Sequence, residues 1–287
     1  MKKLGYVVVF SLSLSFGFAQ EELAPLVKPE VEESQVMFKK TVWRRMDLKE
    51  KQNLPFFSRN GEISRLLIEA VDEGLLTPYR SDSCINFMPD IIFVSNISVE
   101  REENPFVGGG FNSGGFDSFG DESTTDAAGA DEKGEQPRQE AIPEDLFSVL
   151  YIKEDVIFDR NRSRMYHYIR SLSIALPRDA GSLYNPAGFE KKVAHFRYDD
   201  VVALFRGPYA DKALYYNRQN VGKHLNMSDA FELRLFNAPI VKVSNPQDLD
   251  IRQQYSDQMA EDPLSVIVIQ QKYEYDLMEY ESELWEY

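Results

Sequence analysis

The sequence predicts an α+β domain of mixed helices and mostly antiparallel strands. Three observations carry this. Ile63, Leu66, Leu67 and Ala70 recur at the spacing of one helix face. Tyr166, Tyr168, Arg170, Leu172, Ile174 and Leu176 occupy every second position, the period of a half-buried strand. Tyr273, Leu277, Tyr280 and Leu284 recur at coiled-coil-like spacing among Glu and Asp, which gives a C-terminal helix.

The elements follow in order. Residues 1–19 have the layout of a signal peptide. Lys2 and Lys3 precede an apolar run from Leu4 to Phe16, which closes on Gly17-Phe18-Ala19, and cleavage is expected after Ala19. The run is short and serine-rich, whereas a bilayer span needs about 20 apolar residues. No Cys lies near the cleavage site, so no lipid is expected there. Residues 20–35, rich in Glu, Pro and Val, read as a flexible arm. A single domain is expected over 36–287.

Order begins near Val36, and Lys40–Leu48 mixes β-formers with charge. Pro55 stops any helix before it. The helix from Ile63 to Glu73 ends at Gly74, a C-terminal cap. Leu75–Thr77 and Ile91–Val99 read as strands. A Gly-rich disordered insertion is expected over about 104–140, where Asn104–Glu135 alone holds 8 of the 16 glycines. Phe106, Phe111, Phe116 and Phe119 are spaced along it. Val149–Ile152 and Val156–Phe158 are strand-like, as is the alternating run that Pro177 ends. Val201–Phe205 reads as a strand and Asp211–Tyr216 as a helical turn. Met227–Phe236 reads as a helix capped by Asn226, with Asp229 at its third position. Ile240–Val243 is a strand, and Ser265–Tyr287 is the last helix. The β-branched Val266–Ile269 at its start also fits a strand.

Composition narrows the function. The net charge is −15, and such a polyanion is repelled by phosphate backbones and by anionic lipid, so neither nucleic acid nor membrane insertion is expected. Cys84 is the one cysteine, so no intramolecular disulfide forms. His167, His195 and His224 are scattered and lack metal-ligand spacing, and no GxSxG elbow is present. Gly108–Gly110 does not join a strand to a helix, so it makes no phosphate cradle. Pairs such as Glu154-Asp155 and Asp199-Asp200 are what 47 acidic residues produce by chance. No catalytic residue, cofactor or metal is expected, and the chain reads as non-enzymatic.

Five ordered blocks resemble the GldN/PorN family, periplasmic gliding-motility and type IX secretion subunits of Bacteroidetes. They are FKKTVWRRMDLKEKQNLPFF (Phe38 to Phe57), SRLLIEAVDEGLLTPY (Ser64 to Tyr79), IKEDVIFDRNRSRMYHYIRSLSIALP (Ile152 to Pro177), MSDAFELRLFNAPIVK (Met227 to Lys242) and YEYDLMEYESELWEY (Tyr273 to Tyr287). The turn Arg206-Gly207-Pro208-Tyr209 departs from the family's more aromatic one. The resemblance implies a periplasmic scaffold. It would self-associate in a ring, bind the K-type outer-membrane lipoprotein (GldK/PorK) and couple to the L/M motor through the periplasmic part of its M subunit (GldM/PorM). A partner interface is expected at Trp43, Arg44 and Arg45, since Trp and Arg dominate interface hot spots. A second is expected at Tyr280 and Trp285 on the terminal helix. Both tryptophans fit ordinary core positions equally well. The rival readings are a periplasmic hydrolase and a monomeric ligand-binding module, each with a site formed only in three dimensions.

Overall fold

The computed structural model describes residues 29–101, 138–220 and 222–285. The signal segment, residues 20–28 of the arm, most of the glycine-rich stretch with its four phenylalanines, and the side chain of Trp285 lie outside the described residues.

The frame is a five-stranded antiparallel sheet. Its strands are β1 (Val36–Asp47), β6 (Val149–Asp159), β7 (Arg164–Leu176), β8 (Lys191–Arg197) and β11 (Ile240–Val243), in the order β11-β1-β6-β7-β8. Three two-stranded ribbons decorate it: β2 (Phe57–Ser58) with β3 (Gly61–Glu62), β4 (Ser98–Arg101) with β5 (Arg138–Ala141), and β9 (Leu214–Tyr215) with β10 (Leu225–Asn226). The helices are α1 (Ile63–Asp72), α2 (Asp90–Ile97), α3 (Tyr198–Arg206), α4 (Met227–Glu232), α5 (Ile251–Gln254), α6 (Ser256–Glu261) and α7 (Ser265–Trp285). The α+β reading is correct.

Register divides the sheet into two unlike faces. Directly opposed residues share a face. On the inner face Met46 opposes Leu150, Arg44 opposes Ile152, and Val42 opposes Glu154. Two apolar clusters cover this face. The larger joins Leu150, Ile152, Leu172 and Ile174 to Leu66 and Leu67 of α1, Leu204 of α3 and Phe231 of α4. The smaller joins Val42, Val156 and Ile240 to Ile251 of α5 and Leu277 of α7. Each such side chain contributes roughly 1.5–3 kcal/mol on burial, which makes this face the source of stability.

Several expectations are met in detail. Ile63, Leu66, Leu67 and Ala70 are buried on α1, and Gly74 ends the helix at φ 71°. Asn226 caps α4, its Oδ1 accepting from the Ser228 backbone N–H at 2.9 Å. The Tyr166–Leu176 run lies in β7.

Others are corrected. Leu75–Thr77 is no strand, because the N–H groups of Leu75 and Leu76 turn back to the Ala70 carbonyl and finish the helix. Ile91–Val99 is mostly α2, and Val201–Phe205 lies in α3, where Tyr198, Val201, Leu204 and Phe205 form a buried helical stripe. Short apolar runs do not distinguish the two states by periodicity, and Asp199 and Asp200 in the first turn favour helix. Asp211–Tyr216 is a turn leading into β9, α4 stops at Glu232, and Val266–Ile269 is helical. Residues 138–140, within the expected insertion, belong to β5.

Candidate functional site

The second face of the sheet is polar and aromatic. One row crosses all five strands: Lys242 on β11, Trp43 on β1, Lys153 on β6, Ser171 on β7 and Arg197 on β8. The next row holds Arg45, Tyr151, Ser173 and His195. Alternation along β1 explains this, since Thr41, Trp43 and Arg45 point opposite to Val42, Arg44 and Met46.

A loop lies across the first row. Tyr79 bridges to the edge of β8 through paired backbone bonds with His195, of 2.8 and 3.1 Å. The chain then brings Asp82 over the sheet. Trp43 Nε1 donates to Asp82 Oδ2 at 2.6 Å, Lys153 Nζ lies 3.4 Å from the same oxygen, and Ser171 Oγ donates to the Asp82 carbonyl at 3.1 Å. Partial burial opposes the Asp82 charge, but the Trp43 donor and Lys153 outweigh it and lower its pKa. Lys153 and Lys242, on the two strands flanking β1, lie 5.3 and 4.7 Å from the Trp43 ring centroid. Lys192 lies 4.4 Å from that of Tyr151. Beside this loop is a cavity of about 270 Å³, floored by Trp43 and Tyr151 and rimmed by Arg80, Lys192, Lys242 and Asp250.

His195 borders the cavity and is bonded to Ser173 Oγ through Nδ1 at 2.6 Å. Burial, reinforced by the charge of Lys192, pushes its pKa down to about 4, so the ring is neutral at pH 7. Ser173 is only 2% exposed within β7, so this pair is an internal hydrogen bond and presents no accessible nucleophile. Cys84 is buried at φ 52°, and burial raises its pKa away from thiolate. The three histidines stay apart: His167 faces Glu154 at 3.5 Å, and His224 packs on Tyr216. Among the described residues no group of three metal-ligating side chains converges.

The expected interface residues separate. Trp43 and Arg45 are on the polar face, half-buried, with Arg45 Nε 3.0–3.1 Å from both oxygens of Glu190. Arg44, expected at a partner interface, is on the inner face and 5% exposed, so its side chain does not reach the surface with those of Trp43 and Arg45. Its guanidinium donates to Glu154 and Glu274 and to the Ala238 carbonyl. Burial opposes its charge, but Glu154 and Glu274 raise its pKa above the usual arginine value. Tyr280 packs on Phe38 under α7, with centroids 4.6 Å apart. Lys153, Lys192, Lys242 and the Asp82 loop were missed. The alternating Lys39, Thr41, Trp43 and Arg45 is the signal that could have marked this face.

A family model described as gliding motility associated protein GldN matches residues 31–286. The chain belongs to the GldN family. The match spans both cores, the polar face and α7. No curated protein matches the chain.

Proposed function

We propose that this chain is a non-enzymatic structural subunit of the periplasmic ring complex of type IX secretion and gliding motility. It self-associates in a ring, binds the K-type outer-membrane lipoprotein and couples to the L/M motor through the M subunit. The family match over residues 31–286 carries this reading.

Uncovered apolar surface supports it. Ile85 and Phe87 are 72% and 66% exposed, and Ile91 and Val94, three apart on α2, are 84% and 43% exposed. On α7, Val268 and Tyr275 lie opposite the buried Leu277 and are exposed, as is Met278 beside them. Exposed apolar side chains grouped on one element suit protein contact. No helix among the described residues is long and apolar enough to cross a membrane.

The test is an affinity pull-down of the tagged chain from detergent-solubilised envelopes, with mass spectrometry and electron microscopy. A stoichiometric lipoprotein partner and ring-shaped particles are expected, and N-terminal sequencing is expected to start at Gln20. A clean monomer without partners would overturn the reading.

A further inference from the structure

We infer that the cavity on the polar sheet face is a docking site for a short acidic segment of a partner protein. The observation behind it is charge placed against the trend of the molecule. The chain carries −15, yet Arg80, Lys192 and Lys242 converge on one rim. Among the described residues Arg80 and Lys192 have no carboxylate partner. Lys242, 16% exposed, pairs with Asp248 at 2.7 Å, and that carboxylate is 80% exposed and screened by solvent. Besides Asp248, three carboxylates lie near, and Glu190 is taken up by Arg45 and Tyr151. Asp82 is already engaged by the Trp43 N–H and by Lys153, and Asp250 stands on the rim. Burial is the main reason that His195 stays neutral, and Lys192 and Lys153 add to it against Asp82.

The rings select among anions. Single-stranded nucleic acid is bound through open aromatic faces that stack its bases, as well as through cations. Here Lys153 and Lys242 lie over Trp43 from the two flanking strands, and Lys192 lies over Tyr151, so the rings hold the ammonium groups in place. The remainder of the chain repels a phosphate backbone. A peptide with two or more carboxylates instead meets Arg80 and Lys192 directly, in charge-assisted hydrogen bonds. The inference stands apart from the assembly reading, and the two can fail separately.

The probe is a fluorescein-labelled octaglutamate peptide titrated with the full chain at low salt, read by anisotropy. Saturable binding that weakens with added salt is expected. The double variant Arg80→Glu with Lys192→Glu is expected to weaken it at least tenfold. The charge-matched control Arg59→Glu with Lys272→Glu, both exposed and outside the cavity lining, is expected to weaken it much less. Circular dichroism verifies that both variants fold. Absence of binding, equal losses in the two variants, or equally tight binding of an eight-nucleotide oligothymidine would overturn the inference.

Discussion

Arg44 Nε donates to Glu154 Oε1 at 2.5 Å on the inner face of the sheet, where the two apolar cores meet. Met46 and Ile152 belong to the larger core, Val42 and Val156 to the smaller, and the ion pair fills the step between them. Arg234 reaches the other oxygen of Glu154 at 2.6 Å, and Arg44 also binds Glu274 on α7. The terminal helix is therefore tied to the sheet through a buried charge.

Removing that arginine should be costly. Glu154 has 0% exposure, and a buried pair stripped of one partner loses about 3–5 kcal/mol. Arg44→Ala is expected to lower stability by that amount in urea denaturation. Arg45, one residue on, faces the other side, and Arg45→Ala should cost less than about 1 kcal/mol. Equal and small losses would show that Arg234 satisfies Glu154 without Arg44.

Acid should unfold the protein in two stages. His195 holds a pKa of about 4 against an ordinary 6.5. Below 6.5 the unfolded chain binds a proton that the folded chain refuses, so stability falls as pH drops from 6.5 towards 4. At roughly 1.4 kcal/mol per pH unit this reaches about 3 kcal/mol. His167, also lowered by burial, adds in the same direction. Burial disfavours the Glu154 charge, but the His167 hydrogen bond and the two arginines outweigh it and hold its pKa well below 4.5. Its stabilisation is present above 4.5 and is lost as pH falls through the depressed folded value. Melting temperatures between pH 7 and pH 3 should show both steps, and His195→Asn should flatten the first. A flat profile from pH 7 to pH 4 in the parent chain would refute this.

Two helix ends allow sharper tests. Gly74 sits at φ 71°, which a Cβ disfavours, so Gly74→Ala should lose about 1 kcal/mol although nothing crowds the site. Asn226→Ala should lose a similar amount by freeing the Ser228 N–H. Thermal melts decide both, and an unchanged midpoint in either variant would remove that cap from the account.

These caps were legible in the sequence because a helix end is a local device. The faces of β7 were not. Strict alternation places Tyr166, Tyr168, Leu172 and Ile174 together. In the structure a bulge at Arg170 inserts an extra residue, because Glu154 pairs with Ile169 while Lys153 pairs with Ser171. Tyr166 and Tyr168 therefore leave the core face that Leu172 and Ile174 occupy. The burial of Arg44 was hidden for a related reason. In Trp43-Arg44-Arg45 the middle residue must point inward once Val42 and Met46 do, and its anions come from residues 110 and 230 positions away. The basic rim was invisible because Arg80, Lys192 and Lys242 meet only through the register of the sheet.

The two sides of α7 give the last prediction. Leu277 is buried against Val42 and Val156, so Leu277→Glu should unseat the helix and lower stability by at least about 3 kcal/mol. Val268 and Tyr275 lie on the opposite side, 65% and 64% exposed, and touch neither core. Val268→Glu with Tyr275→Glu should change stability by no more than about 0.5 kcal/mol. The same pair should reduce partner capture from envelopes by an order of magnitude if this stripe is an assembly surface, because two carboxylates would be buried without partners on docking. Melting and pull-down on one preparation separate the outcomes. A stable variant with undiminished capture would assign assembly to α2 or to the polar face and leave the outer side of α7 bare.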